Sequence, residues 1–222
     1  MIKTHPNWEV CAEAENGRQA VEAANQLKPD IAILDIGMPV LNGLEATRQI
    51  LRECPATRIL VLTITDTDQA VQAVLDSGAR GFLLKSDAAR DLVMAVEALQ
   101  QNKAFFTARV ADLILSGFLN KTPRAAKNTL GLPALTARER EVVQLLAEGK
   151  STKEVACHFN LIVKTAETHR SNIMRKLGLH SVSELVLYAV RNQIVQVNVG
   201  VAFLSAGTAN ATEIGSTTVP KN

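Results

Sequence analysis

Cysteine is scarce. Cys11, Cys54 and Cys157 are the only three in 222 residues and stand far apart, a pattern that suits reduced thiols and excludes a disulfide framework or a cysteine-built metal cluster. No apolar run approaches the roughly 20 residues a helix needs to cross a bilayer, and Met1-Ile2-Lys3-Thr4-His5-Pro6 does not read as a secretory signal. These absences imply a cytoplasmic chain with no membrane partner. Excess charge is also lacking, since the net is +2, but the balance is uneven. Residues 1–119 hold 11 basic against 15 acidic side chains, residues 120–135 hold 3 against none, and residues 136–197 hold 9 against 6. Positive charge therefore collects toward the C-terminal part, in a surplus that supports only modest non-specific affinity for a polyanion. The 47% apolar content is ordinary for a soluble protein, and the length allows two domains.

What is present is concentrated in Leu135–Val197. Thr136-Ala137-Arg138-Glu139, Ser151-Thr152-Lys153-Glu154 and Ser181-Val182-Ser183-Glu184 each fit the capping box, and each leads into an apolar run at helical spacing. A further helix is expected over about Val163–Leu177. At 100° per residue Ala166, Ile173 and Leu177 share one stripe, and Lys164, Thr168, Ser171 and Arg175 share the opposite one. Small hydroxyls between cations suit a major-groove reader, because hydroxyls and amides address base edges and cations address phosphates. A basic amphipathic helix alone reads as a solvated surface. Here it follows Ser151–Phe159 after the short connection Asn160-Leu161-Ile162, the spacing of a helix-turn-helix.

The runs Leu135-Thr136-Ala137-Arg138-Glu139-Arg140-Glu141-Val142, Ala147-Glu148-Gly149-Lys150-Ser151, Val163-Lys164-Thr165-Ala166-Glu167-Thr168-His169-Arg170 and Lys176-Leu177 resemble the LuxR-type DNA-binding domain. The resemblance implies an all-α four-helix unit over 135–197. Its third helix would contact double-stranded DNA through Lys164, Thr165, Glu167, Thr168, Ser171, Asn172, Arg175 and Lys176, with Thr152 and Lys153 from the preceding helix. Its last helix would pair two subunits through Glu184, Leu185, Tyr188 and Arg191. Ile162 stands where a Ser commonly caps the third helix, at a typical cost of ~1 kcal/mol. Cys157-His158, with no second ligand pair nearby, reads as surface or packing variation and not as a zinc site.

Residues 8–117 alternate short apolar runs (Glu9–Ala12, Ile31–Leu34, Ile59–Leu62, Gly81–Leu84) with helical segments, which predicts an open parallel sheet. The second and third runs are apolar throughout, as strands buried on both faces should be. Functional groups in such sheets belong at the carboxyl ends of the strands. Asp35, Thr63 and Lys85 stand there, a carboxylate nucleophile with a hydroxyl and an ammonium as donors, able to accept a phosphoryl group. With Asp35-Ile36-Gly37-Met38-Pro39, Asn42-Gly43 and Gly81-Phe82-Leu83-Leu84-Lys85, this half resembles the receiver domain of response regulators. The resemblance implies Asp35 as phosphoacceptor, Thr63 as switch hydroxyl, Phe82 as the coupled aromatic and Lys85 as the cation of the site. A haloacid-dehalogenase hydrolase would need a second Asp two residues beyond Asp35, where Gly37 stands.

The expected fold is thus a flavodoxin-like α/β receiver over 1–103, lacking its first strand and most of its first helix, then a helix and interdomain linker over 104–134, the four-helix domain over 135–197, and a disordered tail over 198–222. The absent first strand would carry the acidic pair that holds Mg²⁺, so no cofactor or metal site is expected in this chain, and Mg²⁺ only if that strand is restored. Such a receiver is also expected to hold a closed state poorly, leaving the DNA-binding domain free. The function expected is a DNA-binding response regulator of the NarL/FixJ type, not an enzyme, phosphorylated by a sensor histidine kinase and dimeric on DNA. The alternatives are a phosphorylation-independent DNA-binding regulator whose receiver serves protein contacts, and a hydrolase using Asp35.

Overall fold

The computed structural model describes residues 2, 5–65, 67–107, 110–111 and 135–196. The linker expected over Asn120–Pro133 and the tail expected over 198–222 lie outside them. In the N-terminal part α1 (Gly17–Leu27), α2 (Gly43–Glu53), α3 (Asp68–Ser77) and α4 (Ala88–Gln100) alternate with β1 (Ile31–Asp35), β2 (Arg58–Thr63) and β3 (Gly81–Leu84). Side chains fix three of the helix starts: Asn16, Asn42 and Thr67 accept hydrogen bonds from the amides of Gln19, Glu45 and Ala70.

The strands are parallel in the order β1-β2-β3, with Ala32 beside Ile59 and Val61 beside Phe82. β2 shows why its run is unbroken. Ile59 and Val61 enter a core with Leu44, Ile50, Val71 and Phe82, while Leu60 turns to the opposite face against Leu83 and the α4 residues Ala95, Val96 and Leu99.

Two expectations for this half are corrected. Glu9–Ala12 forms no strand and is exposed, and no strand among the described residues lies beside it to complete a ladder. Its absence leaves β1 at the sheet's edge, where Ile31, Ala32 and Ile33 are only half-buried despite an apolar run suited to two covered faces. The helix expected from Ala104 does not begin there either. Phe105 bridges Gly81 in parallel, with the Phe82 amide donating to the Phe105 carbonyl at 2.9 Å and the Phe105 amide to the Arg80 carbonyl at 3.1 Å. Helical residues appear at Val110 and Ala111, and 112–119 lie outside the described residues.

The C-terminal part is α5 (Ala137–Ala147), α6 (Thr152–His158), α7 (Val163–Leu177) and α8 (Val182–Arg191) around Val142, Leu145, Val155, Ile173, Leu177 and Leu185. The boxes at Thr136 and Ser151 close in both directions. The third does not: Ser181 accepts from the Glu184 amide, but the Glu184 carboxylate accepts from the His180 amide at 2.7 Å instead. Ile162 starts α7 with no side-chain cap, as its apolar side chain dictates.

Candidate nucleic-acid interface and strand-end site

Asp35, Thr63 and Lys85 do converge at the carboxyl edge of the sheet. The Lys85 ammonium lies 2.6 Å from Asp35 Oδ2, and the Gly37 amide donates to Asp35 Oδ1 at 3.1 Å. Both charged side chains keep about a third of their surface exposed, at 31% for Asp35 and 39% for Lys85, so the carboxylate is reachable. Thr63 is buried, and its hydroxyl accepts from the Thr65 amide at 3.1 Å. Phe82 is not at this edge. Its side chain is buried in the core against α2 and α3. The arrangement offers a carboxylate nucleophile with a cation and an amide beside it. Among the described residues no three His, Cys, Asp or Glu side chains gather to ligate a cation.

The expected freedom of the C-terminal domain is overturned by the packing of α5. Six consecutive residues, Glu141–Leu146, are buried, which is more than a full turn and requires cover on every side. Val142, Val143, Leu145 and Leu146 face their own core, and Glu141 and Gln144 meet the N-terminal part. Gln144, 2% exposed, accepts from the Asn42 amide at 2.8 Å and donates to the Met38 carbonyl at 3.1 Å. Glu141 is held by Arg18 at 2.7 Å and by Gln49 at 2.9 Å, and Arg140 reaches Glu45.

The segment after α8 adds a second contact. Asn42 Nδ2 donates to the Ile194 carbonyl at 3.0 Å, and Gln196 Nε2 lies 3.4 Å from the Thr63 hydroxyl. A Cβ on Gly37 would stand 3.0 Å from the Gln196 carboxamide oxygen. Between these contacts Val40 is held at φ 68°, a left-handed conformation costly for a β-branched residue, with its amide donating to Glu148 at 3.2 Å.

α7 takes no part in this docking. Ala166, Ile173 and Leu177 are buried, while Lys164, Glu167, Thr168, Ser171, Asn172 and Arg175 are exposed. The Thr168 hydroxyl donates to the Lys164 carbonyl at 2.9 Å, Arg175 donates to Asn172 at 2.9 Å, and Lys164 lies 3.7 Å from Glu167. Lys153 is exposed on α6, whereas Thr152 is half-buried and accepts from Arg170 at 3.4 Å. Thr165 is half-buried at the margin of the stripe. Lys176 is committed inward, 2.6 Å from Glu139. Burial of Glu139 opposes its ionisation, but hydrogen bonds from Lys176 and Thr136 outweigh this and hold its carboxyl below the usual range.

The residues expected to pair subunits need correction. Leu185 is fully buried in the domain core, because its position on α8 faces Val142 and Ile173, and it cannot meet a second chain. Tyr188 is half-buried against the same core, and burial raises its phenol above its ordinary value. Glu184 is exposed, and Arg191 is exposed with its carbonyl accepting from Gln69 at 2.6 Å. The apolar surface α8 does offer is Val182 and Leu187, 43% and 55% exposed. Its spacing from Leu185 and Ala189 could have revealed Leu187, which falls on the opposite face of α8; Val182 lies on the same face as the two buried residues and is exposed at the first turn of the helix.

Residues 1–97 match the family described as response regulator receiver domain, and residues 133–189 match bacterial regulatory proteins of the luxR family. The transcriptional regulatory protein LiaR of Bacillus subtilis is 34% identical over 194 residues, covering 87% of this chain and 90% of that protein. The response regulator protein VraR of Staphylococcus aureus is 32% identical over 195 residues, covering 88% and 90%. A solved structure of the response regulator RcsB of Salmonella typhimurium is 28% identical and covers 86% of this chain and 89% of its own, with a TM-score of 0.47.

Proposed function

This chain belongs to the response regulators that join a receiver domain to a LuxR-type DNA-binding domain, and from that premise we propose that α7 reads the major groove of double-stranded DNA as one half of a homodimer. The receiver is addressed by a sensor histidine kinase, with Asp35 accepting the phosphoryl group and Lys85 and Thr63 contacting it, and the protein acts in the cytoplasm as a regulator and not as an enzyme. The observation that carries the DNA reading is the stripe Lys164, Thr168, Ser171 and Arg175, exposed along a helix whose opposite face is buried and which the receiver leaves uncovered. Leu187, exposed on the face of α8 opposite Leu185 and Ala189, supplies an apolar contact for pairing two copies. Selection of bound duplexes from a random pool tests it. A two-fold symmetric motif is expected, and a pool no different from bulk DNA overturns the proposal.

A second reading, control by protein contact without phosphorylation, is favoured by the strand-end site, where no group of three His, Cys, Asp or Glu side chains gathers among the described residues. Incubation with a small phosphodonor separates the readings. A stable aspartyl phosphate that Asp35→Asn abolishes supports the first, none supports the second, and repeated turnover supports a hydrolase.

A further inference from the structure

Glu167 is the one acidic residue of α7, and it stands within the surface that the receiver leaves uncovered. Lys164, Glu167, Thr168 and Ser171 are spaced i, i+3, i+4 and i+7, so they form one contiguous patch, and all four are exposed. A carboxylate in such a patch needs a reason, because DNA phosphates repel it. Support of the helix does not supply one. Lys164 occupies the first turn, where the helix dipole opposes a cation, Ile162 leaves that end without a side-chain cap, and Lys before Glu is the less stabilising order. Side chains 84% and 53% exposed also gain little from pairing in water.

What the pair does present is a donor and an acceptor side by side, with Lys164 Nζ 3.7 Å from Glu167 Oε2. The neighbouring Thr168 hydroxyl donates inward, to the Lys164 carbonyl at 2.9 Å. We propose that the Lys164–Glu167 pair selects one G·C base pair in each half-site, a role that rests on α7 lying in the major groove. Glu167 accepts from the cytosine N4 amino group, and Lys164 donates to guanine O6 and N7. Cytosine N4 and guanine O6 are joined by the base pair's own hydrogen bond and lie about 2.9 Å apart, close to the spacing of the ammonium and the carboxylate oxygen. The order of groups in the groove disfavours A·T. There the amino donor sits between two acceptors, adenine N7 and thymine O4, which repel a carboxylate from both sides. In G·C the donor sits at one end, and both acceptors fall to Lys164.

The test is selection from a random duplex pool by full-length wild type, Glu167→Ala, Glu167→Gln and Lys164→Ala, followed by the affinity of each for the wild-type site. Wild type should require G·C at one position of each half-site. Glu167→Ala should accept any base pair there and bind the wild-type site about tenfold more weakly, while its unchanged preference elsewhere shows that the helix is intact. Glu167→Gln should move that position toward A·T, since a carboxamide accepts from adenine N6 and donates to N7. Lys164→Ala should lose preference at the same position. A wild-type motif that both Glu167 variants select unchanged would overturn the proposal and leave the major-groove reading standing. So would Glu167→Ala binding all duplexes more tightly, which would reduce the carboxylate to repulsion of phosphates. A wild type that selects no motif would overturn both.

Discussion

Arg140 of α5 lies 2.9 Å from the carboxylate of Glu45 on α2, an ion pair that crosses between the two domains with Glu45 only 2% exposed. Arg48 shares the same carboxylate at 3.2 Å, so Glu45 keeps one partner if Arg140 is removed. The cost of removal is then that of one hydrogen bond to a charged group, about 1.5–3 kcal/mol. Gln144 stands one turn further along α5, and Arg140→Ala with Gln144→Ala removes two of the contacts that dock α5, leaving Glu141 on Arg18 and Gln49. Small-angle scattering should show the radius of gyration of the double variant rising as the domains separate. An unchanged radius would mean that these residues do not hold the docked arrangement.

The Glu139 carboxyl, held below its usual range, makes α5 sensitive to acid. A group whose folded value is depressed contributes stability that is present above its unfolded value, ~4.3, and is lost as pH falls through the folded one. At neutral pH Glu139→Gln should lower Tm by ~2–4 °C, the equivalent of about 1 kcal/mol for a chain of this size. The gap to wild type should close as the pH falls below about 4. A gap that persisted there would show that the charge of Glu139 contributes nothing.

Val40 sits at φ 68°, where Asn is tolerated far better than a β-branched residue. Val40→Asn should therefore raise thermal stability by ~1 kcal/mol while leaving in place the hydrogen bond that the amide of residue 40 donates to Glu148. A lower Tm in calorimetry would show that the packing of the half-buried Val40 side chain outweighs its backbone strain.

The repeating elements were legible because periodicity and caps are local properties. Ile59–Leu62 reads as a strand covered on both faces and is one, and Thr136 and Ser151 read as the starts of helices they do cap. Asp35, Thr63 and Lys85 could be brought together because strand ends in a parallel sheet share an edge. The docking of the domains was not legible. Glu141 and Gln144 occupy the positions of α5 that an amphipathic reading assigns to solvent, and only the partner surface from Met38 to Gln49 turns them inward. Glu9–Ala12 failed for the same reason in reverse, since a strand depends on a neighbour that its own residues do not encode. Leu185 failed because the family resemblance named a helix and not which of its faces is free.

The central claim is that α7 contacts DNA while the receiver stays docked on α5. Equilibrium binding of the full chain to a duplex selected by it, measured across a range of salt concentrations, tests this most directly when wild type is set beside Lys164→Ala with Arg175→Ala. The account predicts that the double variant binds at least about tenfold more weakly, with a salt dependence flattened by about one unit of slope for each phosphate that is no longer neutralised. Lys176→Ala, whose amine is committed to Glu139, should leave that slope nearly as it is. Wild-type affinity and slope in the double variant would contradict the account.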